Sequence, residues 1–148
     1  MPTIKASDKI ILEHSRDDTW KVLIDIPSYY KWWPSQVKIE VYNYSNDIVG
    51  TTFIVRPLGG QSFSCRIQSI ELLKEIRLEY FEGLYRGIGF WSLESSNNST
   101  TVSYTVDLEI SNKFVAALSY ILPISKIHSR VFKDIFNGLK GYLDSRQH

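Results

Sequence analysis

Three residue types in this chain could carry chemistry: histidines at positions 14, 128 and 148, the single cysteine, and a set of tyrosines. His128 stands inside a long pattern of helical period, where an imidazole could act as a general acid or base or hydrogen-bond a ligand. No carboxylate lies three or four residues from it to orient the ring, so a half-solvated flank histidine is the competing reading. His14 ends a strand-like segment and His148 is the last residue, so no histidine-based metal site is expected. Cys65 alternates with Phe63 and Ile67 and reads as a small core hydrophobe. Nothing in its spacing argues for a Cys–His nucleophile. Tyr80 and Tyr104 fall on strand faces that should point inward. Each offers a hydroxyl, either to a ligand or to a partner within the core. Alternation puts Arg56, Arg66, Asp107 and Glu109 on the wet face. Gly59-Gly60 and Gly83 are turn glycines without phosphate-loop spacing. Catalytic residues therefore stay unassigned.

These side chains depend on elements that the pattern of the chain predicts. Thr3 to His14 reads as a strand. Ser15 is a helix N-cap followed by Asp17 and Asp18, where negative charge complements the helix dipole. Trp20, Leu23 and Ile24 give that helix one apolar face, and the residue before Pro27 ends it. A second short helix, Ser28 to Trp33, stops at Pro34. Strands are predicted over residues 37–44, 51–57, 62–73, 76–81, 86–94 and 101–110, joined by short turns such as 58–60. The last has the clearest alternation: Val102, Tyr104, Val106, Leu108 and Ile110 on one face, Thr101 to Glu109 on the other. Short links make the sheet antiparallel and meandering. The period then switches to 3.6. Ile124, Ile127, Val131, Ile135, Leu139 and Tyr142 form a stripe flanked by His128, Phe132, Phe136 and Leu143. This long C-terminal helix is the one element able to cover the apolar face of the sheet.

Composition narrows the classes. The chain has 148 residues, the size of one ordinary domain over 1–148. A net charge of +1 gives no global field for nucleic acid. One cysteine excludes an intrachain disulfide and a Cys-rich zinc site. The apolar run from Phe114 to Ile124 is too short to span a bilayer and is broken by Ser119 and Pro123. With no apolar h-region at the start, a cytoplasmic protein without integral membrane association is expected; the oligomeric state, monomer or dimer, stays open.

A family resemblance rests on Ile11-x-x-x-Ser15-x-x-x-x-Trp20-x-x-Leu23-x-Asp25, then Tyr29-x-x-Trp32-x-Pro34-x-Val37. Further on stand Gly89-x-Trp91-x-Leu93, Ser99-Thr100-Thr101-Val102-x-Tyr104 and Phe136-x-x-Leu139-Lys140-x-Tyr142-Leu143. In these the chain resembles the START-related, Bet v 1-like (SRPBCC) superfamily, most of all its bacterial polyketide cyclase/dehydrase-like members. The resemblance implies an α+β helix-grip fold: a curved six- or seven-stranded antiparallel sheet around a long C-terminal helix, with two short helices after the first strand. It also implies a cavity between sheet and helix for a hydrophobic or amphipathic small molecule, such as a lipid, isoprenoid, quinone or polyketide-like aromatic.

The residues expected at such a cavity follow from the strand and helix faces. Phe53, Tyr80, Tyr85, Gly89, Trp91 and Tyr104 would face it from the sheet, and His128, Val131 and Ile135 from the helix. Trp32 and Trp33 divide between inward packing and the entrance. Gly87 and Gly89 either hollow the interior or mark a strand bend. No cofactor is expected. Carriage or binding of a hydrophobic molecule leads; a cyclase or dehydratase acting in the same cavity, and an interaction module using Trp33 and residues 113–123, are the alternatives.

Overall fold

Alternating burial from Thr100 to Ile110 shows one face of the last strand turned to the core and one to water. The whole sheet is built that way. The structure, a computed structural model, describes residues 3–57, 60–118 and 124–146. Its strands are β1 (Thr3–Leu12), β2 (Val37–Asn43), β3 (Thr52–Pro57), β4 (Phe63–Glu71), β5 (Glu75–Gly83), β6 (Tyr85–Ser96) and β7 (Ser99–Ile110). They form one seven-stranded sheet in the order β1-β7-β6-β5-β4-β3-β2, antiparallel throughout. Six strands meander as their short links dictate, and β1 adds beside β7, pairing Thr3 with Glu109 and Leu12 with Thr100.

The helices are α1 (Arg16–Ile24), a 3-10 helix (Ile26–Lys31), α2 (Lys113–Leu118) and α3 (Ile124–Arg146). Ser15 caps α1 as its sequence indicates, its Oγ accepting from the Asp18 N–H at 3.1 Å. The second short helix begins at Ile26 rather than Ser28. Pro27 sits in its first turn, where a missing N–H removes no bond. The first strand stops at Leu12 rather than His14. The His14 ring is buried instead, with Nε2 2.6 Å from Asp144 Oδ1 near the end of α3. The turn at Leu58-Gly59 and the stretch 119–123 lie outside the described residues. No described helix is long and apolar enough to cross a membrane.

The buried stripe of α3 differs from the sequence pattern by about one position. Phe132, Ile135, Phe136, Leu139 and Leu143 are buried, whereas Ile127 is 45% exposed and Tyr142 only half-buried. Large rings at 132 and 136 reach the sheet where smaller aliphatic side chains at 127 and 131 stand at its margin. Curvature has local causes. Register shifts in β4 follow Ser64 and Ile67, and Gly87 in β6 adopts φ 144°, a bend that a side chain would resist. The outward arginines lie where alternation puts them: Arg56 near Glu40, and Arg66 near Glu79 with its guanidinium over the Phe81 ring.

Candidate functional site

Between the concave sheet, the 3-10 helix and the first half of α3 lies a cavity of about 210 Å³. Its size follows from the strands beneath it, whose inward faces carry alternating large apolar residues that a single helix cannot fully cover. Phe53, Tyr80, Tyr85, Trp91 and Tyr104 line it from the sheet. His128, Val131 and Ile135 line it from α3, and Trp33 from the segment following the 3-10 helix. Among the described residues that line it, none is Asp, Glu, Lys or Arg.

Two expected residues do not line it. Trp32 is buried in the core, its ring 4.9 Å from that of Tyr29. Its carbonyl oxygen lies so near α3 that a Cβ at Gly138 would come within 2.0 Å of it, so Gly138 is what lets the helix approach. Gly89 stands behind the wall. A Cβ there would sit 2.5 Å from the Tyr104 hydroxyl and 2.9 Å from Tyr80 Cε1. The missing side chain therefore makes room for the two tyrosines and not for a ligand, while Gly87 supplies the bend.

The tyrosines meet across the intervening strand. Tyr80 Oη and Tyr104 Oη are 2.5 Å apart, both buried. Burial raises both phenols well above their ordinary range, so they act as neutral donors and acceptors. One hydroxyl proton joins the pair, leaving the other free for a further acceptor. Phe63 stacks on Tyr80 at 5.5 Å, and Phe132 on Tyr104 at 4.3 Å with planes 8° apart. Neither Phe63 nor Phe132 stood out in the sequence as a wall residue, although Phe132 flanks the helical stripe. Cys65 also lines the cavity, and burial pushes its thiol up, away from the reactive thiolate.

His128 stacks on Phe132 at 5.1 Å. Burial lowers its pKa from the ordinary value, and the nearby Asp8 carboxylate opposes that only in part. Asp8 itself accepts from Ser129 Oγ at 3.0 Å. Burial thus favours the neutral imidazole, and its Nδ1 is buried without a hydrogen-bond partner among the described residues. Trp33 Nε1 is in the same condition. Trp32 Nε1 is too, away from the cavity lining. Among the described residues no group of three or more His, Cys, Asp or Glu side chains could hold a metal ion.

Solved structures share this architecture. A START superfamily protein of Mycobacterium smegmatis aligns with TM-score 0.76 at 14% identity, over 97% of this chain and 99% of that one. The Zhui aromatase/cyclase of Streptomyces sp. R1128 aligns with TM-score 0.79 at 14% identity, over 98% and 96%. A norcoclaurine synthase variant of Thalictrum flavum, solved with a transition-state analogue, aligns with TM-score 0.72 at 13% identity, over 99% and 98%. At such identities these likenesses speak for the fold. No curated protein matches the sequence. The family profile described as polyketide cyclase/dehydrase and lipid transport matches residues 12–136. With that profile spanning most of the chain on a helix-grip frame, the protein belongs to the polyketide cyclase/dehydrase and lipid transport family.

Proposed function

We propose that this protein binds a hydrophobic small molecule in the cavity between sheet and α3. One observation carries the reading: an aromatic-lined hollow of about 210 Å³ with no formally charged side chain among its described lining. Apolar pockets with a few placed polar groups are the usual form of small-molecule sites. The family's description, which joins cyclases with lipid transport, is consistent with it. The lone, buried Cys65 thiol suits a cytoplasmic setting.

Native mass spectrometry of the purified protein, with an uncharged fluorescent probe such as 6-propionyl-2-dimethylaminonaphthalene as competitor, tests the reading. A bound small molecule, displaced by the probe and lost in Val131→Trp with the fold intact, is the expected result. A Val131→Trp protein that binds as well as the parent would overturn it.

A cyclase-type reaction in the same cavity is favoured by one feature, the neutral imidazole of His128 with its unpartnered Nδ1. Among the described lining groups it is the one whose ordinary pKa lies nearest neutrality, although burial lowers it. Recovery of the bound molecule unchanged after long incubation counts against catalysis. Of the two features behind the interaction-module alternative, Trp33 and residues 113–123, Trp33 lines the cavity instead.

A further inference from the structure

We infer that two copies of this chain associate through β2, edge to edge and antiparallel about a two-fold axis at Ile39, joining their sheets into one.

The edge is open. β2 is the last strand of the sheet, with β3 on one side and no described strand on the other. At the opposite end of the sheet α3 packs against β1, and Ser129 Oγ of α3 donates to Asp8. Which backbone groups of β2 face outward follows from one pair. Val37 stands opposite Pro57, which has no N–H, and its own N–H donates to the Pro34 carbonyl at 3.0 Å. That pair is therefore not hydrogen-bonded, and alternation makes Lys38 with Arg56 and Glu40 with Ile54 the bonded ones. The N–H and C=O of Ile39 and Val41 consequently point away from β3. No backbone bond outside the sheet takes them up among the described residues. Such a row of free groups is a template for a further strand.

The side chains choose the occupant. Lys38 and Glu40 are exposed on the outer face of β2, two positions apart. Paired antiparallel about Ile39, each Lys38 falls opposite Glu40 of the second copy, and Ile39 falls opposite Ile39. An axis at residue 38 would set lysine against lysine, and one at residue 40 glutamate against glutamate. Opposite charges facing across strands stabilise a pair and like charges destabilise it, so charge selects the central register. The same register bonds the two Ile39 residues to each other, and each Val41 N–H to the Val37 carbonyl of the second copy. Lys38 gains most, because inside its own chain it stands across from Arg56, a like charge, while Arg56 reaches Glu40 at 3.4 Å. The register shift between Val41 and Asn43 ends the ladder, and a two-fold contact uses up the edge, so association stops at two copies. A ladder this short belongs with weak, transient interfaces.

Analytical ultracentrifugation of the purified chain at concentrations up to about 1 mM tests this, with a reversible monomer–dimer equilibrium as the expected result. Lys38→Glu should weaken the dimer about five- to tenfold, because two like-charge pairs replace two opposite ones. Within the chain that change sets an acidic side chain across from Arg56, so a damaged fold is not its cause. Glu40→Lys should weaken the dimer similarly, and the double variant Lys38→Glu, Glu40→Lys should regain the parent's affinity. Amide hydrogen exchange reads the edge directly. The Ile39 and Val41 amides should slow as protein concentration rises, while those of Lys38 and Glu40, already bonded to β3, stay unchanged. A parent that remains monomeric at about 1 mM overturns the inference. So do single variants that dimerise as well as the parent, a double variant as weak as the singles, or Ile39 exchange that ignores concentration.

Discussion

The two halves of α3 face very different surroundings. Toward its C-terminal end the helix is packed solid. Leu139 and Leu143 are buried in the core that also takes in Trp20 and Leu23 of α1 and Leu12 of β1. That end is latched as well, by His14 to Asp144 and by Thr100 Oγ1, which donates to the His14 carbonyl at 2.8 Å. Toward its N-terminal end the same helix borders a hollow, with Ile127 partly in water and His128 and Val131 half-buried. On the binding proposed above, the contrast would give stability to one half and recognition to the other, on a single continuous element.

Truncation is the strongest way to break that division. Leu139→Ala removes a fully buried side chain from a filled region and should cost about 2–5 kcal/mol in chemical denaturation. Val131→Ala, at the hollow, should cost less than about 1.5 kcal/mol while admitting a larger probe. Equal costs at both sites would erase the distinction between packed and hollow halves.

Adding a methyl group sharpens it. Gly138→Ala places a Cβ against the Trp32 carbonyl, and a net loss of about 1–3 kcal/mol is expected despite alanine's better helix propensity. Gly89→Ala pushes on the Tyr104 hydroxyl instead. Its expected mark is a change in probe selectivity with a smaller shift in the unfolding midpoint. A Gly89→Ala protein with unchanged selectivity would show that the tyrosine pair plays no part in recognition.

Acid gives the smallest effect and separates the halves by pH. Burial keeps the His128 pKa below the ordinary 6.5, so the unfolded chain takes up the proton first as pH falls. Stability is therefore fullest above about 6.5 and declines as pH drops through that value toward the folded pKa. At the latched end, hydrogen bonds from Lys140 and then His14 hold the Asp144 carboxyl below 3.8, so the stability it contributes is lost only at lower pH. Denaturation midpoints measured from pH 8 to 5 should fall for the parent and fall less for His128→Phe. A parallel decline in both would remove His128 as the cause.

Much of this frame can be read from the chain because its cause is local. The alternation from Val102 to Ile110, the Ser15 cap and the switch to helical period each lie within one element, and the structure shows all three. The site is harder to read because its geometry is not local. Trp32 and Trp33 are chemically identical neighbours, and only their places in the fold separate the core ring from the cavity ring. The Tyr80–Tyr104 bond depends on the register of β5 and β7 across β6, which no single strand encodes. The carboxylate that faces His128 is Asp8, contributed by β1 and so invisible to a search at helical spacing. Gly89 announces a missing side chain without saying what fills the space, and two tyrosines fill it.

The ladder between β1 and β7 has a consequence for how the chain reaches this state. Thr3 must find Glu109, and Asp8 must find Tyr104, before β1 has any strand partner, whereas β7 pairs with β6 across a short link. Closing so long a loop costs entropy, and topologies dominated by such pairings fold in milliseconds to seconds rather than microseconds. During synthesis β1 emerges first and waits for β7, while the concave apolar face waits longer still for α3. For that interval Trp91, Val102 and Val106 have no cover, so the risk of misassociation is greatest just before the last helix leaves the ribosome.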